Sequence, residues 1–109
     1  MAFTPYHNIT GSTGVNIELI APGENVGAIE SIMITNTRTA DATVSLYIQN
    51  EPTAATASTF YIISTVAIPS DTSLLLDNNT VLSFDNSPNG YGLYLTVGSS
   101  DTLDIMINR

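Results

Sequence analysis

The feature of this sequence that most restricts its fold is a period of two in its apolar residues. Within Ala42 to Asn50, Val44, Leu46 and Ile48 alternate with threonine, serine and tyrosine. Because successive side chains of a β-strand point to opposite faces of a sheet, this pattern predicts a half-buried strand. No segment shows the 3.6-residue period of an amphipathic helix. The sequence therefore predicts an all-β fold.

Similar runs recur along the chain and predict about eight short strands, separated by roughly the 8 to 12 residues typical of a sandwich or barrel. The predicted strands are 15–20, 29–37, 42–50, 60–68, 73–76, 81–84, 91–97 and 102–108. Turn-forming residues at 37–41 and 98–101 predict hairpins between the strands on either side, and those at 77–80 predict a turn between the two shorter runs 73–76 and 81–84. Phe60 to Ile68 is apolar on both faces, which favours a central strand.

The length of 109 residues fits one domain, spanning 1–109. We expect a single antiparallel β-sandwich, either a jelly roll or immunoglobulin-like. An N-terminal arm of about residues 1–10 has no obvious strand partner, and the Ala- and Thr-rich segment 52–58 predicts an exposed loop.

Charge excludes several partners. The formal net charge is −8, lysine is absent, and the two basic residues are Arg38 and Arg109. Nucleic acids and anionic membranes are bound through clustered cations, so neither is an expected partner. No apolar stretch approaches the roughly 18 residues of a membrane span, and Met1 to Thr10 lacks the parts of a secretory signal. We therefore expect a protein that is made and used without export.

The residues offer little material for catalysis. The chain has no cysteine and one histidine, His7, in a segment predicted to be an arm or an edge strand rather than part of a rigid pocket. The acidic clusters 77–79 and 101–104 do not match a calcium loop, and both are explained by turns. We expect no enzyme activity, no cofactor and no bound metal.

Aromatic and apolar side chains on outward faces or in the arm are candidates for a protein interface. They are Phe3, Tyr6, Tyr47, Tyr61, Tyr94 and Met106. Tyrosine and methionine are favoured at interfaces, and a chain without lysine lacks the usual protection of its edge strands. The alternative is that some of these residues belong to a second core face.

The order of strand patterns resembles a family of small virion proteins of tailed bacteriophages, especially those of marine bacteria. The resemblance runs from about Ile29 to Arg109. It rests on the motifs Ile29–Thr37, Ala42–Ile48, Phe60–Ile63, Val66–Ser70, Ser73–Leu76, Leu93–Val97 and Leu103–Ile107. The family pattern has a shorter loop where this chain has Glu51 to Ser58, so we expect that segment to reach a different neighbour. The resemblance implies a virion protein and supplies no catalytic residue.

Three functions follow as hypotheses. The first is a non-enzymatic virion protein, assembled in the host cytoplasm, that decorates or cements the capsid through contacts with other copies of itself and with major capsid, tail or neck proteins. The second is a neck or tail accessory protein. The third is a carbohydrate-binding host-recognition module, in which exposed tyrosines stack on a glycan. A small hydrolase using acidic residues is the least favoured reading.

Overall fold

The computed structural model describes residues 5–10, 16–26, 28–50, 58–77, 82, 84–98 and 101–108. Within these ranges the chain forms eight strands. They are β1 (Tyr6–Thr10), β2 (Ile17–Ile20), β3 (Ser31–Asn36), β4 (Ala42–Gln49), β5 (Thr59–Ile68), β6 (Ser73–Leu76), β7 (Gly92–Val97) and β8 (Thr102–Asn108). The all-β prediction is confirmed.

The strands form two antiparallel four-stranded sheets. The first sheet has the order β1-β8-β3-β6 and the second sheet has the order β2-β7-β4-β5. Strand β1 pairs with β8, β2 with β7, β3 with β6 and β4 with β5. The chain is thus paired like one long hairpin with its tip between β4 and β5, and this hairpin is wrapped into two layers. That arrangement is a jelly roll, one of the two sandwich types predicted.

Two predicted hairpins are wrong. Strands β7 and β8 lie in different sheets, and so do β3 and β4. Each of these connections leads the chain across to the opposite layer instead of back along the same one. Among the described strands, β4 and β5 are the one pair that is adjacent both in sequence and in a sheet.

Three further expectations are corrected. The segment predicted as a central strand is β5, which lies at the edge of the second sheet and pairs with β4. Leu82 and Phe84, the described residues of the predicted strand 81–84, lie outside the strands. The part of the N-terminal arm at Tyr6–Thr10 does have a strand partner, because it runs beside β8.

The core lies between the two sheets and is built from the alternating inward side chains. In β3 and β8 every second residue is buried. The largest fully buried side chains are Ile20, Ile29, Ile32, Ile34, Val44, Leu46, Leu82, Leu93, Leu95, Leu103, Ile105 and Ile107. Branched aliphatic side chains of this kind pack well on pleated surfaces. No helix in the described part of the chain is long and apolar enough to cross a membrane.

One end of the sandwich is closed by the buried side chain of Asn86. Its Oδ1 accepts the backbone N–H of Val26 at 3.1 Å. Its Nδ2 donates to the carbonyl oxygens of Ala21 and Tyr91 at 2.9 and 2.8 Å. One amide group therefore joins the connection between β2 and β3 to the connection between β6 and β7.

The opposite end is closed by Asn36 and Asp101, which are also buried. Asn36 Nδ2 donates to the carbonyl oxygens of Ala40 and Ile68, at 2.8 and 2.9 Å. Asp101 forms a salt bridge with Arg38 and also accepts the backbone N–H of Thr43. Buried polar groups are tolerated when they are hydrogen-bonded in this way.

Candidate protein interface

The outer face of the first sheet carries an apolar row that crosses all four of its strands. The row consists of Tyr6 (β1), Met106 (β8), Met33 (β3) and Leu75 (β6), which are direct cross-strand neighbours. Tyr6 and Leu75 at its two ends are 66% and 55% exposed. The two methionines between them are partly exposed. These side chains point away from the core because their sequence neighbours point into it.

Polar side chains border the apolar row on one side, and they are hydrogen-bonded to each other. Asn8 Nδ2 donates to Asp104 Oδ1 at 2.7 Å. The hydroxyl oxygens of Thr35 and Ser73 are 2.8 Å apart. These four residues form the next cross-strand line of the sheet. The apolar row therefore has a defined polar border.

A second polar pair borders the row on its other side, where Asn108 Nδ2 donates to Ser31 Oγ at 3.0 Å. Between Tyr6, Asp104 and Met106 the surface is hollowed into an open groove of about 310 Å³. The described outward-facing residues of the four strands in this sheet include one carboxylate, Asp104, and no lysine or arginine. The face is thus apolar at its centre, polar at its border and weakly acidic.

The outer face of the second sheet carries a different row, made of Glu18 (β2), Tyr94 (β7), Tyr47 (β4) and Tyr61 (β5). The rings of Tyr94 and Tyr47 stack at 6.0 Å between centroids, and those of Tyr47 and Tyr61 are 5.2 Å apart. Tyr94 Oη donates to Glu18 Oε2 at 3.3 Å. We call this set the tyrosine row.

The tyrosine row is mostly buried, which corrects the interpretation of Tyr47 and Tyr94 as surface residues. Each of them is only 3% exposed, whereas Tyr61 is 59% exposed. Burial raises the pKa of Tyr94 to about 12, with a further contribution from the nearby Glu18 carboxylate. Burial, together with the proximity of Tyr61, also raises the pKa of Tyr47. Both phenols are therefore neutral at physiological pH and act as packing groups.

A glycine makes room for the Tyr94 side chain. A Cβ atom at Gly92 would lie 2.9 Å from Tyr94 Oη and 2.6 Å from the carbonyl oxygen of Ile20. Both separations are too short for a carbon atom. The absence of a side chain at Gly92 thus lets the Tyr94 side chain lie over the neighbouring backbone.

The structure divides the predicted interface residues into groups. Tyr6 and Met106 lie in the apolar row, and Tyr61 lies at the exposed end of the tyrosine row. Phe3 lies outside the described residues. Met33 and Leu75 were missed, although both are outward residues in alternating strands. What the alternation could not show is that four strands bring these residues into one line.

The described residues that were considered for catalysis or metal binding lie within a strand or next to the end of one. His7 lies on β1 opposite Ile105. Asp101 is engaged by Arg38 and by the backbone of Thr43. No group of three or more potential ligands for a metal ion occurs within the described ranges. Asn78 and Asn79 of the other acidic cluster lie outside those ranges.

A second hollow, of about 250 Å³, lies near Asn25 and Phe84. Asp85 at its edge accepts the backbone N–H of Ser87 at 3.0 Å. Hydrogen bonds from the backbone and hydroxyl of Ser87 lower the pKa of the Asp85 carboxyl group. This arrangement is a local turn of the kind that aspartate commonly forms.

The geometry defines a class of protein: a small jelly-roll domain with an apolar row on one sheet that the described residues leave uncovered. Comparison of the chain with protein-family models, with curated proteins and with solved structures gave no match. The structure and sequence of the chain itself therefore carry the functional argument.

Proposed function

We propose that this chain is a non-enzymatic structural protein of a tailed bacteriophage particle, where it decorates or cements the capsid by packing its first sheet against a neighbouring protein. The observation that carries the proposal is the apolar row Tyr6–Met106–Met33–Leu75, which no other described part of the chain covers. Apolar surface transferred out of water contributes about 25 cal/mol per Å². Covering this row would thus favour association.

The size of the molecule supports a role in packing. Its principal extents are 39 × 30 × 23 Å. A stable interface buries about 800 Å² on each partner, which one broad face of such a domain can supply. The apolar row would form the centre of that contact, and its polar borders would form the rim.

The fold supports the proposal without deciding it. Jelly rolls occur in viral capsid proteins, but also in lectins and cupins, so the fold alone does not identify a function. The particle context comes from the resemblance of the strand motifs to small virion proteins of tailed phages.

Quantitative mass spectrometry of purified particles tests the proposal. We expect the chain to be present at a fixed copy number, in the hundreds for a capsid decoration protein. A copy number of about six to twelve, or a few dozen, would instead identify a neck or tail protein, following the symmetry of closed assemblies. Absence from the particles would contradict the proposal.

A matched pair of variants tests which surface is used. Leu75 and Tyr61 have similar exposure but lie on different sheets. We expect Leu75→Gln to reduce incorporation into particles, because it puts an amide into the apolar row. Tyr61→Gln should leave incorporation unchanged. Circular dichroism of both purified variants verifies that they remain folded. Equal incorporation of the two variants would argue against the first sheet as the contact surface.

Carbohydrate binding remains a second candidate because two neighbouring aromatic residues of β5 are exposed. Phe60 and Tyr61 each show more than half of their surface, and the Phe60 ring meets that of Tyr91 edge to face at 5.8 Å. Such rings could stack on sugars. Binding on a glycan array that is lost in Tyr61→Ala would support this function, whereas binding unaffected by that change would exclude these residues from it.

A further inference from the structure

We infer that the partner of the apolar row is a protein surface with lysine or arginine around an apolar centre, and not a second copy of this chain. The inference rests on the proposed function, because it assumes that the first sheet is a contact surface. It adds the charge that the partner carries and excludes a second copy of this chain as that partner. The evidence is the distribution of charge on and around that face.

Asp104 is the charged group nearest the centre of the face. It lies directly beside Met106 in the adjacent cross-strand line and is partly exposed. Its described hydrogen bond comes from the Asn8 amide, which is neutral and brings no positive charge to the carboxylate. Arg38, the one described arginine, forms its salt bridge with Asp101.

An interface on this row would bring Asp104, at its rim, close to the partner and remove part of its water. A desolvated carboxylate is costly unless a cation or several hydrogen-bond donors replace the lost water. The chain has no lysine, and Arg38 is already paired. The described residues hold no other lysine or arginine, so we expect a lysine or arginine of the partner to compensate Asp104.

A second copy does not meet this requirement. Two copies would each bring a net charge of −8 and an Asp104 to the same contact. Like charges facing each other across an interface oppose association and suppress incorrect partners. A partner with a lysine or arginine rim would instead gain a charge-assisted contact with Asp104.

Two synthetic peptides of equal length serve as probes, one alternating leucine with lysine and the other alternating leucine with glutamate. Binding is followed by NMR of the full chain, using the methyl signals of Met33 and Met106 and the ring signals of Tyr6. We expect the leucine–lysine peptide to shift these signals and the leucine–glutamate peptide to leave them unchanged. Added salt should weaken the binding, since exposed charges are screened.

The Asp104→Asn variant identifies the carboxylate responsible. It keeps an oxygen acceptor for Asn8 but removes the charge, and we expect the affinity for the leucine–lysine peptide to fall by about two- to fivefold, as for one exposed ion pair. Glu18→Gln is the control, because it removes the same charge from the outer face of the opposite sheet. It should leave the affinity unchanged.

Three outcomes would overturn the inference: equal binding of the two peptides, equal effects of Asp104→Asn and Glu18→Gln, or concentration-dependent dimerisation in sedimentation that shifts the methionine signals. These outcomes are separate from particle incorporation. A chain that is present in particles but binds without charge preference refutes only the cationic partner. A chain that prefers the lysine peptide but is absent from particles refutes only the proposed function.

Discussion

At the scale of single residues, the ends of the sandwich depend on a few buried polar side chains. Strand residues satisfy their backbone groups in the sheets, but the connecting segments at the ends cannot. Asn86 replaces the missing partners with one acceptor and two donor contacts. Removing such a group takes a hydrogen-bond partner from one buried and two partly buried backbone groups at the same time, which is more costly than losing an exposed hydrogen bond.

Asn86→Ala should therefore lower the free energy of unfolding by about 2 to 4 kcal/mol. The measurement is urea denaturation followed by circular dichroism. Asn8→Ala is the control, because Asn8 is exposed and makes its described side-chain hydrogen bond at the surface. Its effect should stay within about 0.5 kcal/mol. Similar small losses in both variants would show that Asn86 is not essential for closing that end.

The Tyr94 phenol predicts a loss of stability at alkaline pH. Its pKa is raised from 10.0 to about 12 in the folded protein, so the folded state holds this proton more tightly than the unfolded state does. The resulting stabilisation is complete below pH 10 and is lost as the pH rises toward about 12. We expect the free energy of unfolding to fall in this window by on the order of 2 kcal/mol.

Urea denaturation at a series of alkaline pH values measures this loss, and the absorbance of tyrosinate reports the titration directly. The Tyr94→Phe variant lacks the ionisable group, so its stability should change less between pH 10 and about 12. An identical pH profile for Tyr94→Phe and the parent chain would disprove the assignment.

At the scale of elements, β5 shows how an edge strand can be apolar on both faces and still be irregular. Its pairing with β4 shifts register twice, between Val44 and Leu46 and between Leu46 and Tyr47. Thr65 has a φ of 52°, and its N–H donates to Ser45 Oγ at 2.8 Å. Bulges of this kind interrupt the row of free backbone groups along an edge and hinder pairing with another strand.

Thr65 lies in the left-handed region, which is unfavourable for a β-branched residue. Thr65→Gly should raise the free energy of unfolding by about 1 kcal/mol, because glycine adopts positive φ without strain. Ala67→Gly, at another exposed position of β5 whose φ is not positive, should lower it by about 0.5 to 1 kcal/mol. Urea denaturation of the two variants gives the comparison. A loss of stability in both would mean that the bulge is not strained at Thr65.

At the scale of the whole molecule, the jelly roll joins strands that are far apart in the sequence. Strand β8 lies between β1 and β3, so the first sheet cannot close until the last strand is in place. Contacts between distant parts of a chain make folding slow, typically milliseconds to seconds for such β proteins. We therefore expect the loss of a central strand to destabilise the fold more than the loss of an edge strand.

Deletion of residues 102–108 should abolish cooperative unfolding, because it removes Leu103, Ile105 and Ile107 from the core, leaves β1 without a partner and leaves β3 paired with β6 alone. Deletion of 1–10 removes an edge strand that contributes one buried side chain, Ile9. That variant should still unfold cooperatively, at a lower urea concentration. Urea denaturation followed by circular dichroism makes the comparison. Cooperative unfolding without β8 would contradict the central position of this strand.

The candidate interface could be predicted only in part from the sequence. Tyr6, Tyr61 and Met106 were identified as outward aromatic or apolar residues, and they are at least partly exposed. Tyr47 and Tyr94 show the same alternation, yet both are buried. Alternation distinguishes the two faces of a strand, but it does not show what packs on each face.

Local side-chain chemistry was enough to specify the all-β class, seven of the eight strands with nearly correct boundaries, and most of the core. These properties depend on residues one or two positions apart, which a single strand already brings together. The strand order, the partner of β1, the edge position of β5 and the line from Tyr6 to Leu75 arise only in the folded molecule. They depend on which distant strands pair, and that choice is made by burying all the apolar faces together in one core.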